Sequence, residues 1–136
     1  MATHQGDLAL LEDPVAKRLL QPPVPARLAY MWTDGPPRGP IGFHWNGKEV
    51  VLETPPDAPK LKKVKDGTTV ALSMDTTTPP YKVLQIRGSV RIDVVEGIAP
   101  EYEAMTIRSL GEEQGRAWLE TLRPLSPRMA RLFVTP

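Results

Sequence analysis

The segment from Thr54 to Leu72, TPPDAPKLKKVKDGTTVAL, joins the end of one strand to a short basic stretch and then to a second strand. Strand Lys48–Glu53 must stop at Pro55-Pro56, which cannot donate ladder hydrogen bonds. Asp57 is placed to cap a short helix running to about Val64, with Pro59 tolerated in the first turn because its missing N–H has no helical partner there. Free amides at that helix start, with the Lys60 ammonium beside them, attract a phosphate. The same spacing also reads as a surface helix with Lys60, Lys62, Lys63 and Lys65 as its solvated face.

Other residues with chemical potential are few. If a side-chain acid is needed, His44 and Tyr81 are the candidates, since an imidazole titrates near neutral pH and a phenol donates without burying a charge. Both also read as structural: His44 sits on a strand between Phe43 and Trp45, and Tyr81 follows Pro79-Pro80 as a packing residue at a strand start. Trp32, Trp45 and Trp118 can stack on a flat ligand, but core or interface positions suit them better. Arg87 and Arg91 share a polar strand face with Asp93, where they can pair across the sheet, across a dimer or with acidic ligand groups. Glu101/Glu103 and Glu112-Glu113 read as solubilising charge on helix first turns. There is no GxGxxG after a strand, no GxxxxGK[ST] and no metal-ligand spacing, which removes classical dinucleotide, NTPase and metallohydrolase readings.

The elements that must position these residues are mostly strands. Residues 7–21 carry Leu8, Leu11, Val15 and Leu19 at helical spacing, broken at Asp13-Pro14, which reads as a fresh N-cap followed by Pro at the first helical position. After Pro22-Pro23-Val24-Pro25, strands are expected over 26–33 and 41–46, with a Gly/Pro turn over 34–40 between them. Asn46-Gly47 then forms a tight hairpin into 48–54, giving a three-strand meander. A fourth strand covers 68–75. From Tyr81 to Val95 one face reads Leu84, Ile86, Gly88, Val90, Ile92, Val94 and the other Val83, Gln85, Arg87, Ser89, Arg91, Asp93. Such a length predicts a bend, with Gly88 as the place for a bulge or barrel corner. Helices follow at 100–110 and 112–122, with Ile107, Leu110, Trp118, Leu119 and Leu122 as expected buried positions, before a last strand at 128–135. The expected fold is a mainly β, single-domain barrel of about six mostly antiparallel strands with peripheral helices. Its segments are a helical part and proline-rich spacer over 1–25, five strands over 26–95, short helices over 97–123 and the closing strand.

The chain of 136 residues has a formal net charge of +1, no cysteine and 16 prolines set at element boundaries, so disulfides, thiolate metal sites and thiol chemistry are excluded. Basic residues are scattered and aromatics sparse, against a nucleic-acid surface. The opening MATHQGDLALLEDP has no signal-peptide pattern and no apolar run has bilayer length, so no membrane association and a cytoplasmic location are expected.

Three segments resemble the FMN-binding split β-barrel group that includes pyridoxamine 5′-phosphate oxidases and the actinobacterial deazaflavin-dependent reductases. They are ARLAYMWTDGPPRGPIGFHWNGKEVVLET, APKLKKVKDGTTVALSMDTTTPPYKVLQIRGSVRI and RMARLFVTP, in the family's order and near its spacing. The resemblance implies a homodimer with FMN or the deazaflavin F420 in a cleft at the subunit interface, transferring hydride to or from an unsaturated or heteroaromatic small molecule. By position, Lys60 matches the phosphate-binding lysine and Thr54 the strand end before it. Pro40, Ile41, Gly42 and Phe43 match the strand that backs the ring, and Lys82 and Gln85 match positions facing the cofactor or the partner subunit. The resemblance assigns no catalytic side chain and no metal. Lys63 stands where many relatives carry asparagine, Gly42 replaces a bulkier residue, and a further strand segment is expected where the chain stops at Pro136. The added lysines suit an acidic oligoglutamate tail, which favours F420 over FMN. The alternatives are a non-catalytic module that binds flavin, haem or another tetrapyrrole, and a dimeric scaffold whose cleft has decayed.

Overall fold

The computed structural model describes residues 4–21, 24–31 and 38–136, the side chains of 38–40 excepted. Its strands are β1 (Ala26–Ala29), β2 (Arg38–Ile41), β3 (Phe43–Trp45), β4 (Val50–Thr54), β5 (Thr69–Asp75), β6 (Val83–Glu96) and β7 (Arg128–Thr135). All pairings are antiparallel, in the order β2-β1-β5-β6-β7-β4-β3. The two edge strands of this sheet, β2 and β3, are consecutive in the chain with Gly42 alone between them. The sheet must therefore curl until its edges meet, which makes it a split barrel.

The expected second strand is thus real but divided. Its first half pairs with β1 and its second with β4, so it closes the barrel instead of sitting in the middle of a flat meander. Counted as one bent strand, β2/β3 brings the total to the six expected. The expected turn over 34–40 is corrected at its end, because Arg38–Pro40 already belong to β2. Trp32 and the centre of that turn lie outside the described residues.

A second corner falls in β6. Its first half pairs with β5 and its second with β7, and the change of partner comes at Gly88 and Ser89. Pairing with β5 continues through Val70↔Gly88 without an extra residue, so Gly88 marks a corner and not a bulge. A Cβ there would sit 2.7 Å from the carbonyl carbon of Thr135, so only glycine admits this crossing of strands. The inward rows of all strands, with Leu28, Leu52, Leu72, Ile86, Val90 and Leu132 among them, fill the barrel, and Phe43 joins that core.

Local chemistry explains the remaining elements. Asp7 accepts from Ala9 N at 2.9 Å at the start of a 3-10 turn, Leu8–Glu12, and Asp13 accepts from Val15 N at 2.8 Å at the start of α1 (Pro14–Leu19). Asp13→Ala is expected to cost about 1 kcal/mol of stability in urea unfolding, the usual cost of losing a side-chain cap. At the β3–β4 turn, Asn46 Oδ1 accepts from both Lys48 N and Glu49 N, at 2.9 and 2.6 Å. That withdraws both amides from the ladder, so the loop holds Asn46 through Glu49 and β4 begins at Val50, two residues later than the sequence suggests. Helices α2 (Pro100–Leu110) and α3 (Glu112–Leu122) fall on the expected residues. Their buried positions differ: Leu119 is buried as expected, but Leu110 and Trp118 are exposed, and Thr106 and the small Gly115 fill the helix contact instead. Trp118 Nε1 donates to Tyr102 Oη at 3.1 Å on this outer side.

Candidate functional site

The basic corner after β4 is tighter than the sequence suggests. Its N-cap is Ala58, without a side-chain hydrogen bond, and the segment is a 3-10 turn, Pro59–Lys62, not a helix capped by Asp57 and reaching Val64. Val64 is instead drawn into the core, fully buried, and this ends the turn. The amides of Leu61, Lys63 and Val64 are spent on carbonyls within the turn, which leaves fewer of them for an anion than a helix start would offer. Lys60 is half-buried there, and Lys62, Lys63 and Lys65 are exposed.

The other expected residues separate into two groups. Thr54 is buried at the end of β4, opposite Ala130 of β7, and the Phe43↔Leu52 register, extended by two residues, would set Ile41 against it across the barrel seam. Within this seam group Phe43 points into the core, and Gly42 lies beneath α2, where a Cβ would meet Met105 Sδ at 2.7 Å. The second group follows one row around the barrel, Pro40↔Arg27↔Ser73↔Gln85 across β2, β1, β5 and β6. Pro40 is the link, since it belongs to this row and adjoins Ile41. Lys82 and Tyr81 are exposed on the approach to β6, and Tyr81, at 73% exposure, is not the packing residue expected.

The row containing Gln85 forms part of a groove of about 770 Å³ on the outer face of β1, β5 and β6. Its floor is made of small outward side chains, Ala29, Ala71 and Ser73, and its roof of Leu8, Leu10 and Leu11. Arg27 is paired to Asp75 at 2.6 Å on one side, whereas Arg87, on the other, has no partner among the described residues. A flat floor of small residues under leucines, edged by a cation and an amide, is suited to a planar ring with acidic or carbonyl substituents. A smaller cleft of about 300 Å³ lies beside it between α1 and the β5–β6 loop, and Lys82 lines it.

A third cluster was not legible as such in the sequence. Helix α2 covers the outer face of β3 and β4, so β4 is buried on both sides, with Val51 and Glu53 beneath the helix. Glu101, expected as surface charge, accepts from Arg131 Nη1 at 2.9 Å, and Arg131 Nη2 also donates to Asp93. Glu53, opposite Arg131 in the ladder, has both carboxylate oxygens buried and without a partner. Burial and then the Glu101 carboxylate push its carboxyl up to about 8, against the pull of Arg131. His44 stands in the same cluster with its pKa lowered by burial first and by Arg108 second, and its Nδ1 has no partner. That placement sets the imidazole under α2 and away from the groove. The one available signal was Glu53 itself, a carboxylate within the apolar strand VVLET. Among the described residues no three metal-ligating side chains come together, and no helix is long and apolar enough to cross a membrane.

No protein-family model and no curated protein matches the chain. Solved structures do. An F420 reductase aligns at 20% identity and a TM-score of 0.57, over 88% of this chain and 92% of that one. The FAD and heme binding protein from Mycobacterium smegmatis aligns at 19% identity and 0.60, over 96% and 67%. HutZ, the heme storage protein from Vibrio cholerae, aligns at 17% identity and 0.62, over 91% and 89%. The chain has the split β-barrel fold that these F420-, FAD- and heme-handling proteins share.

Proposed function

We propose that this protein binds a flavin-type cofactor, F420 or FMN, and acts as an oxidoreductase on an unsaturated or heteroaromatic small molecule. The observation that supports this most is the groove on β1, β5 and β6, with its small-residue floor, set in a fold found in proteins named for F420, FAD and heme. The cofactor, when bound, supplies the hydride chemistry, and the protein's part is to hold, orient and keep dry. In this reading Ala29, Ala71 and Ser73 leave room for the ring, Gln85 and Arg87 offer hydrogen-bond donors at its edge, and the leucine roof excludes water. Lys60, with Thr54 and Lys63 nearby in sequence, receives the phosphate, and the surplus lysines favour the acidic tail of F420. Pro40 and Ile41 contribute backbone beside the ring, Lys82 stands at the entrance, and Gly42 and Phe43, covered by Met105 and the core, hold the seam. A homodimer through the exposed β1–β5–β6 face, with the cofactor at the interface, and a cytoplasmic location complete the proposal.

The storage alternative has the likeness to HutZ in its favour. Against haem, the described residues lining the groove include no His, Cys, Met or Tyr to serve as an axial ligand, and His44 lies under α2. Titration with F420 followed by fluorescence quenching, and with FMN by absorbance, tests binding; turnover with reduced cofactor and an electron acceptor separates catalysis from storage. Lys60→Ala is expected to weaken cofactor binding by roughly 10- to 100-fold, the size of one lost charge-assisted contact. Equal affinity in the variant would remove Lys60 from the site.

A further inference from the structure

Among the described residues, all the buried side-chain polar atoms that lack a partner belong to four residues of one cluster: both oxygens of Glu53, Oε2 of Glu101, Nδ1 of His44 and Nε of Arg131. The charged groups acting on Glu53 come from two elements, Arg131 of β7 and Glu101 of α2, with Asp93 of β6 held through Arg131, while His44 of β3 stands beside Glu101 and Arg108 of α2. Arg131 brings one positive charge to three carboxylates; its two terminal nitrogens donate to Glu101 at 2.9 Å and to Asp93, and its Nε makes no hydrogen bond to Glu53. Glu53, at 9% exposure, would then be an ionised carboxylate with neither water nor a donor, a costly state. A proton is the remaining source of neutrality, and Glu101 Oε2 is an acceptor in want of a donor.

We propose that Glu53 holds a proton and donates it to Glu101 Oε2, forming an acid–carboxylate clasp that fastens α2 to β4 and loosens as the solution becomes alkaline. The clasp bears on the barrel seam, because Met105, one turn along α2 from Glu101, packs on Gly42 between β2 and β3. It does not depend on which cofactor the groove takes.

The sign follows from proton counting. With α2 closed, Glu53 keeps its proton from its ordinary value of 4.5 up to about 8; with α2 open, it has lost it over the same range. Opening therefore releases a proton, and the opening constant of α2 should rise about tenfold per pH unit toward pH 8 and level off above it. Hydrogen exchange of the whole chain across roughly pH 5 to 9, corrected for intrinsic base catalysis, reads this directly in the α2 amides. Glu53→Gln, whose amide donates to the same oxygen and cannot ionise, should show no pH slope in α2. Equal slopes in the two proteins, or a flat profile in wild type, would overturn the clasp. Should the Gln variant not fold, infrared spectroscopy of the wild type decides instead. The carbonyl stretch of a buried protonated carboxylic acid should be present at neutral pH and vanish with a midpoint near 8, and its absence at neutral pH would sink the idea.

Discussion

Arg131→Ala is expected to remove about 3–5 kcal/mol of stability, the cost of deleting one partner from a buried charge cluster. The guanidinium is the hub of that cluster: it donates to Asp93 and to Glu101, faces Glu53 in the ladder and lies 5.0 Å from the centroid of the Phe133 ring. Its side chain is 19% exposed, so water cannot replace it fully. Without it Glu53 and Glu101 lose the one cation that the described residues set beside Glu53 under α2. Urea unfolding at fixed pH measures the loss, and a fall in melting temperature of roughly 10–20 °C should accompany it. Arg131→Lys keeps the charge but not the planar fork that reaches two carboxylates at once, so it should recover only part of the difference. A loss under about 1 kcal/mol for the Ala variant would place Arg131 with exposed ion pairs, which stabilise little.

This cluster also shows where reading from residues alone stops. Alternation and turn chemistry located β4, β5, β6, β7, α2 and α3 because each is specified by near neighbours: a cap, a proline, a period of two or of 3.6. The faces of β6 could be read for the same reason, and burial of Leu84, Ile86, Val90 and Ile92 follows the pattern, whereas Val94 at the end of that face is exposed. What covers a strand from outside is decided by elements far along the chain. Glu101 reads as surface charge in the sequence, and only α2 laid over β4 brings it to Glu53, some fifty residues earlier in the chain. The groove is of the same kind. Ala29, Ala71 and Ser73 are unremarkable in sequence, and only the registers β1–β5 and β5–β6 set them side by side. The Lys60 corner, by contrast, was visible as a basic bend but misjudged as a helix, since Val64 gains more from the core than a further helical turn could offer.

Gly88→Ala is expected to cost about 3 kcal/mol or more, well above the usual loss of one glycine from a strand. The new Cβ would lie 2.7 Å from the carbonyl carbon of Thr135 and 3.0 Å from Val134 Cγ1. The first of these is backbone, and it is held on two sides: Val134 pairs with Val50 of β4 and with Val90 of β6, and Thr135 with Ser89. Moving it means lifting the end of β7 from both neighbours and uncovering Val134, which is fully buried. Gly42→Ala provides the contrast. There the obstacle is the Sδ of Met105, the far end of an unbranched side chain that can swing away, so the cost should stay near 1 kcal/mol. Unfolding curves of the two variants side by side make the comparison, and faster hydrogen exchange at the end of β7 should appear in Gly88→Ala alone. Equal losses at the two positions would mean that β7 frays without resistance, and that the corner at Gly88 is not what holds the long strand between its two partners.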